Sequence, residues 1–184
     1  DGISVVKEPI VCKRKMAYVP DTPRLEEYMT GMQYLNFVCD IYQISAKERK
    51  QNIERLIHAF QMEPHISGLI SSYSHGMKQK VALIAAFSHN PKLLVLDEPF
   101  VGLDPEAFIA LKEQMKMLCR KGSSVLFSSH ILDVVEKLCN IISIIKDGRL
   151  LYSGTTEELI GVEGLEDAFM ELNSNESFDP SIEK

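Results

Sequence analysis

Apolar residues follow several rhythms along this chain, and each rhythm predicts a different element. "KMAYVP" (Lys15 to Pro20) is a short strand closed by Pro20 and Pro23, which lack the N–H a ladder needs. Between Thr30 and His89 the apolar positions recur every three or four residues. Leu35, Val38, Ile41 and Tyr42 share one face of a helix headed by Thr30. Ile53, Leu56, Ile57 and Phe60 share one face of a second, headed by Ser45. A third helix, "HGMKQKVALIAAFSH", begins after Ser74 and must stop before Pro91, because a residue ahead of proline is pushed out of the helical region. From Leu93 the texture changes. "LLVLDE", "SSVLFSS" and "NIISIIK" are apolar without alternation, which predicts strands of a parallel sheet buried on both faces. Between the first two lies a helix with Phe108, Leu111, Met115 and Leu118 in register and Gly122 as its stop; "ILDVVEKLC" is the next helix. Asp147-Gly148 then predicts a two-residue hairpin into "RLLYSG", followed by short helices at "TTEELI" and "GLEDAFMEL" and a polar tail expected to be mobile.

Composition narrows the class. A chain of 184 residues, 45% apolar and 25% charged, supports one good core. The net charge of −6 supplies no overall positive field for a nucleic-acid backbone, so no nucleic-acid partner is expected. Cys12, Cys39, Cys119 and Cys139 are scattered through apolar stretches without CxxC spacing, which reads as reduced thiols in a reducing cytosol and no zinc. The longest apolar run, "VALIAAF", is far short of the roughly 20 residues of a membrane span. The chain begins at "DGISVV" without an initiator Met, which reads as the middle of a strand-turn unit.

Four short stretches carry chemistry. Asp97 and Glu98 end a buried strand, at the edge where an open parallel sheet places its ligands. Neighbours on a strand point to opposite faces, so the two acids serve one site only if the backbone turns, which Pro99 favours. An aspartate there suits Mg²⁺ and a following glutamate suits polarising a water; the ordinary alternative is a solvated acid pair. In "SYSHGMKQK", Ser74 opens a helix whose free N–H groups and dipole form an anion site, with Gly76 in the first turn and Lys78 and Lys80 nearby; a plain Ser cap is the alternative. "GLDP" offers Asp104 as a further helix cap, and His130 follows "SVLFSS" where strand gives way to helix.

In order and spacing, "YSHGMKQK", "LLVLDEP", "VGLDP" and "SSH" resemble the signature motif, Walker B, D-loop and H-loop of an ATP-binding-cassette (ABC) ATPase. "AYVPDTP" resembles its Q-loop and "DGRLLYSGTTEEL" its closing hairpin and helix, so the resemblance runs through nearly the whole chain. It implies an α/β fold of the P-loop NTPase (RecA-like) kind, a parallel sheet core with an α-helical subdomain. The expected divisions are an end of the N-terminal lobe with the Q-loop (1–29), a helical signature subdomain (30–90), the core with the hairpin (91–161) and a C-terminal helix and tail (162–184). It implies ATP and Mg²⁺ as cofactors. Asp97 would be the Mg²⁺-associated carboxylate, with Asp21 a second metal-side group; Glu98 would be the catalytic base and His130 the γ-phosphate switch. Asp104 would communicate across a dimer, and Ser74 and Gly76 would touch the nucleotide of a second ATP-binding subunit. The partners implied are that subunit and a membrane permease, which places the chain in the cytoplasm against the inner face of the cell membrane.

Three departures stand out. Tyr73-Ser74-His75-Gly76-Met77 replaces the common Leu-Ser-Gly-Gly-Gln, a variation similar to that in bacterial exporters of drugs, bacteriocins or ions, and Asp21 stands where the Q-loop usually has Gln. No glycine in this chain is followed by lysine, so no Gly-Lys-Ser/Thr phosphate loop is present. The expectation is a chain truncated before that loop and before the N-terminal antiparallel sheet, inactive as an ATPase alone. The leading function is thus the nucleotide-binding subunit of an ABC exporter. A cytosolic ABC ATPase without a transporter, or a non-catalytic lobe that completes a partner's site, are the alternatives.

Overall fold

A computed structural model describes residues 2–160 and 164–174; the predicted mobile tail lies, from residue 175 on, outside the described residues. The chain divides into two compact units, Asp1–Ser128 and Ser129–Lys184.

The first unit is built on a three-stranded parallel sheet of β1 (Met16–Val19), β2 (Leu93–Leu96) and β3 (Ser124–Phe127), in that order. Its register is flush: Val19 pairs with Leu96 and Leu96 with Phe127, so all three strands end at one edge. Ala17, Val19, Leu94 and Leu96 are buried. A row of Tyr18, Val95 and Leu126 crosses the sheet in register, and its outer members are more than half exposed. The parallel α/β sheet expected from "LLVLDE" and "SSVLFSS" is therefore present, but its expected burial on both faces is not: β2 alternates buried with half-buried residues and no residue of β3 is buried, because nothing among the described residues covers the Tyr18–Leu126 row.

A short helix, α1 (Pro9–Arg14), precedes β1; the sequence pattern does not reveal it, because six residues with Pro at the start show no periodicity. Helices α2 (Gly31–Ile41), α3 (Ala46–Ala59), α4 (His75–Ser88) and α5 (Pro105–Arg120) follow. Thr30, Ser45, Ser74 and Asp104 each accept a backbone N–H three residues ahead, satisfying one of the donors a helix start leaves open, and each such cap stabilises by about 1 kcal/mol. Thr30 and Gln33 complete a reciprocal capping box. Helix α4 is the centre of the unit: every residue from Gln79 to Ser88 is buried, with α2, α3, α5 and β1 packed around it. Its C-terminal end docks on β1 through His89, which stacks on Tyr42 with ring centroids 3.7 Å apart; Tyr42 Oη donates to the Met16 carbonyl at 3.2 Å.

The second unit corrects one expectation. "NIISIIK" forms β4 (Ile141–Lys146), but it pairs antiparallel with β5 (Arg149–Thr155) and lies in no parallel sheet among the described residues. Only Ile142 and Ile144 are buried, on Leu165 of the last helix; Ile141 and Ile145 are each 69% exposed. Alternating burial within an unbroken apolar run cannot be read from letters that do not alternate. The predicted hairpin turn is present, with Asp147 and Gly148 both at positive φ, as a two-residue primed turn requires. Helices α6 (Leu132–Leu138), α7 (Thr156–Ile160) and α8 (Leu165–Ser174) complete this unit.

Candidate functional site

The flush register brings the ends of β1, β2 and β3 together, and the sequence places an acid or hydroxyl just beyond each. Asp97 N–H donates to the Val19 carbonyl at 2.9 Å and Ser128 N–H to the Leu96 carbonyl at 3.0 Å, so the ladder continues one residue past the strands. At Glu98 the backbone turns sharply, with φ +43. A non-glycine residue there costs about 1–2 kcal/mol and persists only where its surroundings hold it. Ser128 does the holding. Its hydroxyl accepts the Glu98 N–H at 3.0 Å and donates to Asp97 Oδ1 at 2.6 Å, binding both acids to the neighbouring strand. Because of this turn the two adjacent carboxylates escape the opposite-face rule of a straight strand. Both are half-buried. Asp21, exposed two residues past β1, follows the strand that neighbours β2 and so belongs to the same sheet edge; Thr22 Oγ1 donates to it at 3.4 Å.

Ser128 is the residue the sequence reading missed. The signal was available: once "LLVL" and "SVLF" are aligned as parallel neighbours, the serine after Phe127 falls beside Asp97.

The second cluster surrounds the N-terminus of α4. Ser74 is its cap, accepting the Met77 N–H at 3.2 Å. Gly76 faces the loop after the acids so closely that a Cβ would stand 2.6 Å from the Gly102 carbonyl oxygen. Gly102 itself has φ +75, and a Cβ there would meet the His75 ring at 2.9 Å. Asp104 caps α5 through Oδ1, 2.9 Å from the Ala107 N–H, and receives Lys80 Nζ on Oδ2 at 2.5 Å. Lys80 beside it holds the Asp104 carboxyl below the usual aspartate value. Lys78 is bound to Glu27 at 2.5 Å. Both lysines flanking the serine turn are thus engaged by carboxylates, and the charge the sequence offered for a phosphate is spoken for within the chain. Between this turn and the segment after Asp21 lies an open cleft of about 380 Å³, lined among others by Arg24, Leu25, Glu27, His75 and Lys78.

His130 lies in the second unit, exposed, in the link between β3 and α6. All four cysteines are free thiols, and burial pushes those of Cys39 and Cys139 up, away from the reactive thiolate. No helix among the described residues is long and apolar enough to cross a membrane.

Comparison with known proteins places this fold in a family. Residues 4–101 match the family model described as ABC transporter. The ABC-type transporter ATP-binding protein EcsA of Bacillus subtilis is 35% identical over 171 residues, covering 93% of this chain and 69% of the relative. NatA, an ABC transporter ATP-binding protein of the same organism, is 33% identical, over 91% of this chain and 68% of its own length. LnrL, its linearmycin resistance ATP-binding protein, is 30% identical over 92% of this chain; here the chain spans 58% of the relative. A solved structure described as an ATP binding subunit of an ABC transporter superposes with a TM-score of 0.89 at 34% identity, covering 94% of this chain and 74% of that one. A family model that spans over half the chain, relatives a third identical along nine-tenths of it, and a strand edge carrying paired acids on a matching fold together establish that the chain belongs to the ABC transporter family, among its ATP-binding proteins.

Proposed function

We propose that this chain is the catalytic-acid and signature-bearing part of an ATP-hydrolysing subunit that drives a membrane permease. The observation that carries the reading is the Ser128 clasp, which fixes Asp97 and the strained Glu98 side by side at the open edge of a parallel sheet. Carboxylate oxygens are hard donors, and Asp97, oriented through one oxygen by Ser128, suits Mg²⁺ or its water; Asp21 offers the same chemistry from the neighbouring strand. Mg²⁺-ATP, when bound, supplies the phosphorus that is attacked and the charge that must be neutralised. Glu98 orients the attacking water and accepts its proton, and Asp97 keeps the metal side in place. By its place in the family motif alone, His130, which lies in the second unit, would be the γ-phosphate switch. Ser74, Gly76 and Asp104 serve the other side, where a second ATP-binding subunit brings its own nucleotide. Leu25, Tyr28 and Met29 would form the permease-facing groove; Leu25 borders the cleft and Tyr28 is 74% exposed, a position that suits contact with another chain. The subunit then works in the cytoplasm, against the inner face of the membrane.

The test uses the complete gene product. Glu98→Gln keeps the shape and removes the base, so ATP turnover should fall about a hundredfold or more while ATP binding persists. Turnover at the parent rate overturns the assignment. For the permease groove, Tyr28→Ala should weaken stimulation of ATPase by the permease; unchanged stimulation counts against it.

A further inference from the structure

We propose that Lys80 is a positioning residue that locks the Ser74–Gly76 turn to the Gly102–Asp104 loop, so that the turn presented to a second subunit and the acid turn at the sheet edge move as one body. The proposal rests on the reading above, in which the serine turn completes that subunit's site.

Three contacts at one junction carry it. First, the absence of a side chain at Gly76 lets the α4 backbone touch the Gly102 carbonyl. Second, His75 covers Gly102, which sits at a positive φ suited to glycine. Third, Lys80, one helical turn beyond Gly76 and on its face, reaches Asp104 at 2.5 Å with its side chain only 10% exposed. The two oxygens of Asp104 do separate work, one capping α5 and the other holding the lysine. From this junction the chain runs back to Glu98 through successive tight turns, Leu103 N–H to Phe100 carbonyl at 3.5 Å and Val101 N–H to Glu98 carbonyl at 3.2 Å. A displacement of the serine turn therefore has little slack to absorb before it reaches the acid. The pair Lys116–Glu113, 3.6 Å apart with both side chains about half exposed, shows what an ordinary surface pair looks like in the same unit.

In the complete gene product, Asp104→Asn keeps the α5 cap and removes the charge, while Lys80→Met removes the partner; Lys116→Met controls for a lost lysine. Turnover and ATP-driven association of two copies are measured on the folded fraction, beside thermal midpoints. Each variant at the junction should lower kcat or association about tenfold, equivalent to about 1.4 kcal/mol. The double variant should be no worse than either single, and Lys80→Arg should restore much of the loss. A lysine that only supports the fold would lower the thermal midpoint and leave both functional readouts of folded protein unmoved, which overturns the proposal; so do parent values for Lys80→Met or additive effects. Glu98→Gln measured in parallel separates the two ideas: if it leaves turnover intact, the ATPase reading fails. The junction is then judged by a double-mutant cycle in urea unfolding, where additivity of Lys80→Met and Asp104→Asn ends it and non-additivity retains the tie.

Discussion

The sheet edge and the serine turn both present groups at the surface of the first unit, yet they are held by opposite means. At the edge a side-chain-bearing residue, Glu98, is forced into a backbone region that favours glycine, and one hydroxyl from the next strand restrains it. At the turn, glycine occupies the tight spot and an ion pair with a nearly buried lysine closes the junction. The first arrangement stores strain in order to place an acid; the second removes side-chain volume in order to bring two backbones together. Positive φ alone does not mark a site, since Gln43, Gln61 and Asn90 share it; what sets Glu98 apart is the clasp that ties its turn to the neighbouring strand.

The contrast can be broken by substitution. The largest effect is expected at Gly76→Ala, where the new Cβ meets a backbone carbonyl that cannot swing away; urea unfolding should show a loss of about 1–3 kcal/mol despite the better helix propensity of alanine. Gly122→Ala is the comparison, at φ +85 but with nothing within 4 Å, and should lose about 1 kcal/mol. A Gly76→Ala variant as stable as the parent, or more stable, would mean that close approach contributes nothing at Gly76. Next, Ser128→Ala removes both bonds of the clasp and should lower stability by about 1 kcal/mol in the same assay. Glu98→Gly should act in the other direction, raising stability by about 0.5–1 kcal/mol as strain is relieved, while abolishing turnover. A destabilised glycine variant would remove strain as the explanation of that turn.

The smallest effect lies at the far end of α4. Burial lowers the pKa of His89 from 6.5. Above pH 6.5 both folded and unfolded chains hold it neutral and its contribution is complete; as pH falls below that value the unfolded chain takes up a proton that the folded one resists, and stability declines until the lower folded value is passed. Thermal midpoints across this range should fall with pH in the parent. They should fall less in His89→Phe, which keeps a ring against Tyr42; an unchanged slope would place the acid sensitivity elsewhere.

Much of this fold was legible. The helix heads at Thr30, Ser45, Ser74 and Asp104 are local decisions, made by an oxygen within three residues of the N–H it satisfies, and all four read correctly. The strand-end acids were legible for the same reason, as was the turn between them and Pro99. The runs "LLVL" and "IISIIK", by contrast, look alike and end differently, one in the middle of a parallel sheet and the other in an antiparallel hairpin with half its isoleucines exposed. Hydrophobicity fixes that a strand forms; which neighbours it finds depends on loops and partners far along the chain.

The sequence by itself determined most of the elements, the helix caps, the family motifs and the place of the two acids at a strand end, because each depends on residues a few positions apart. Only the tertiary structure decided that Ser128 clasps Asp97 and Glu98, 31 and 30 residues away, and that Lys80 closes on Asp104. Contacts between residues so far apart are set by strand register and helix packing, where a shift of one residue would turn a hydroxyl from an acid to solvent. The physical reason is one of range: capping and turn energies are local, while the pairing of distant polar groups exists only after the core has closed.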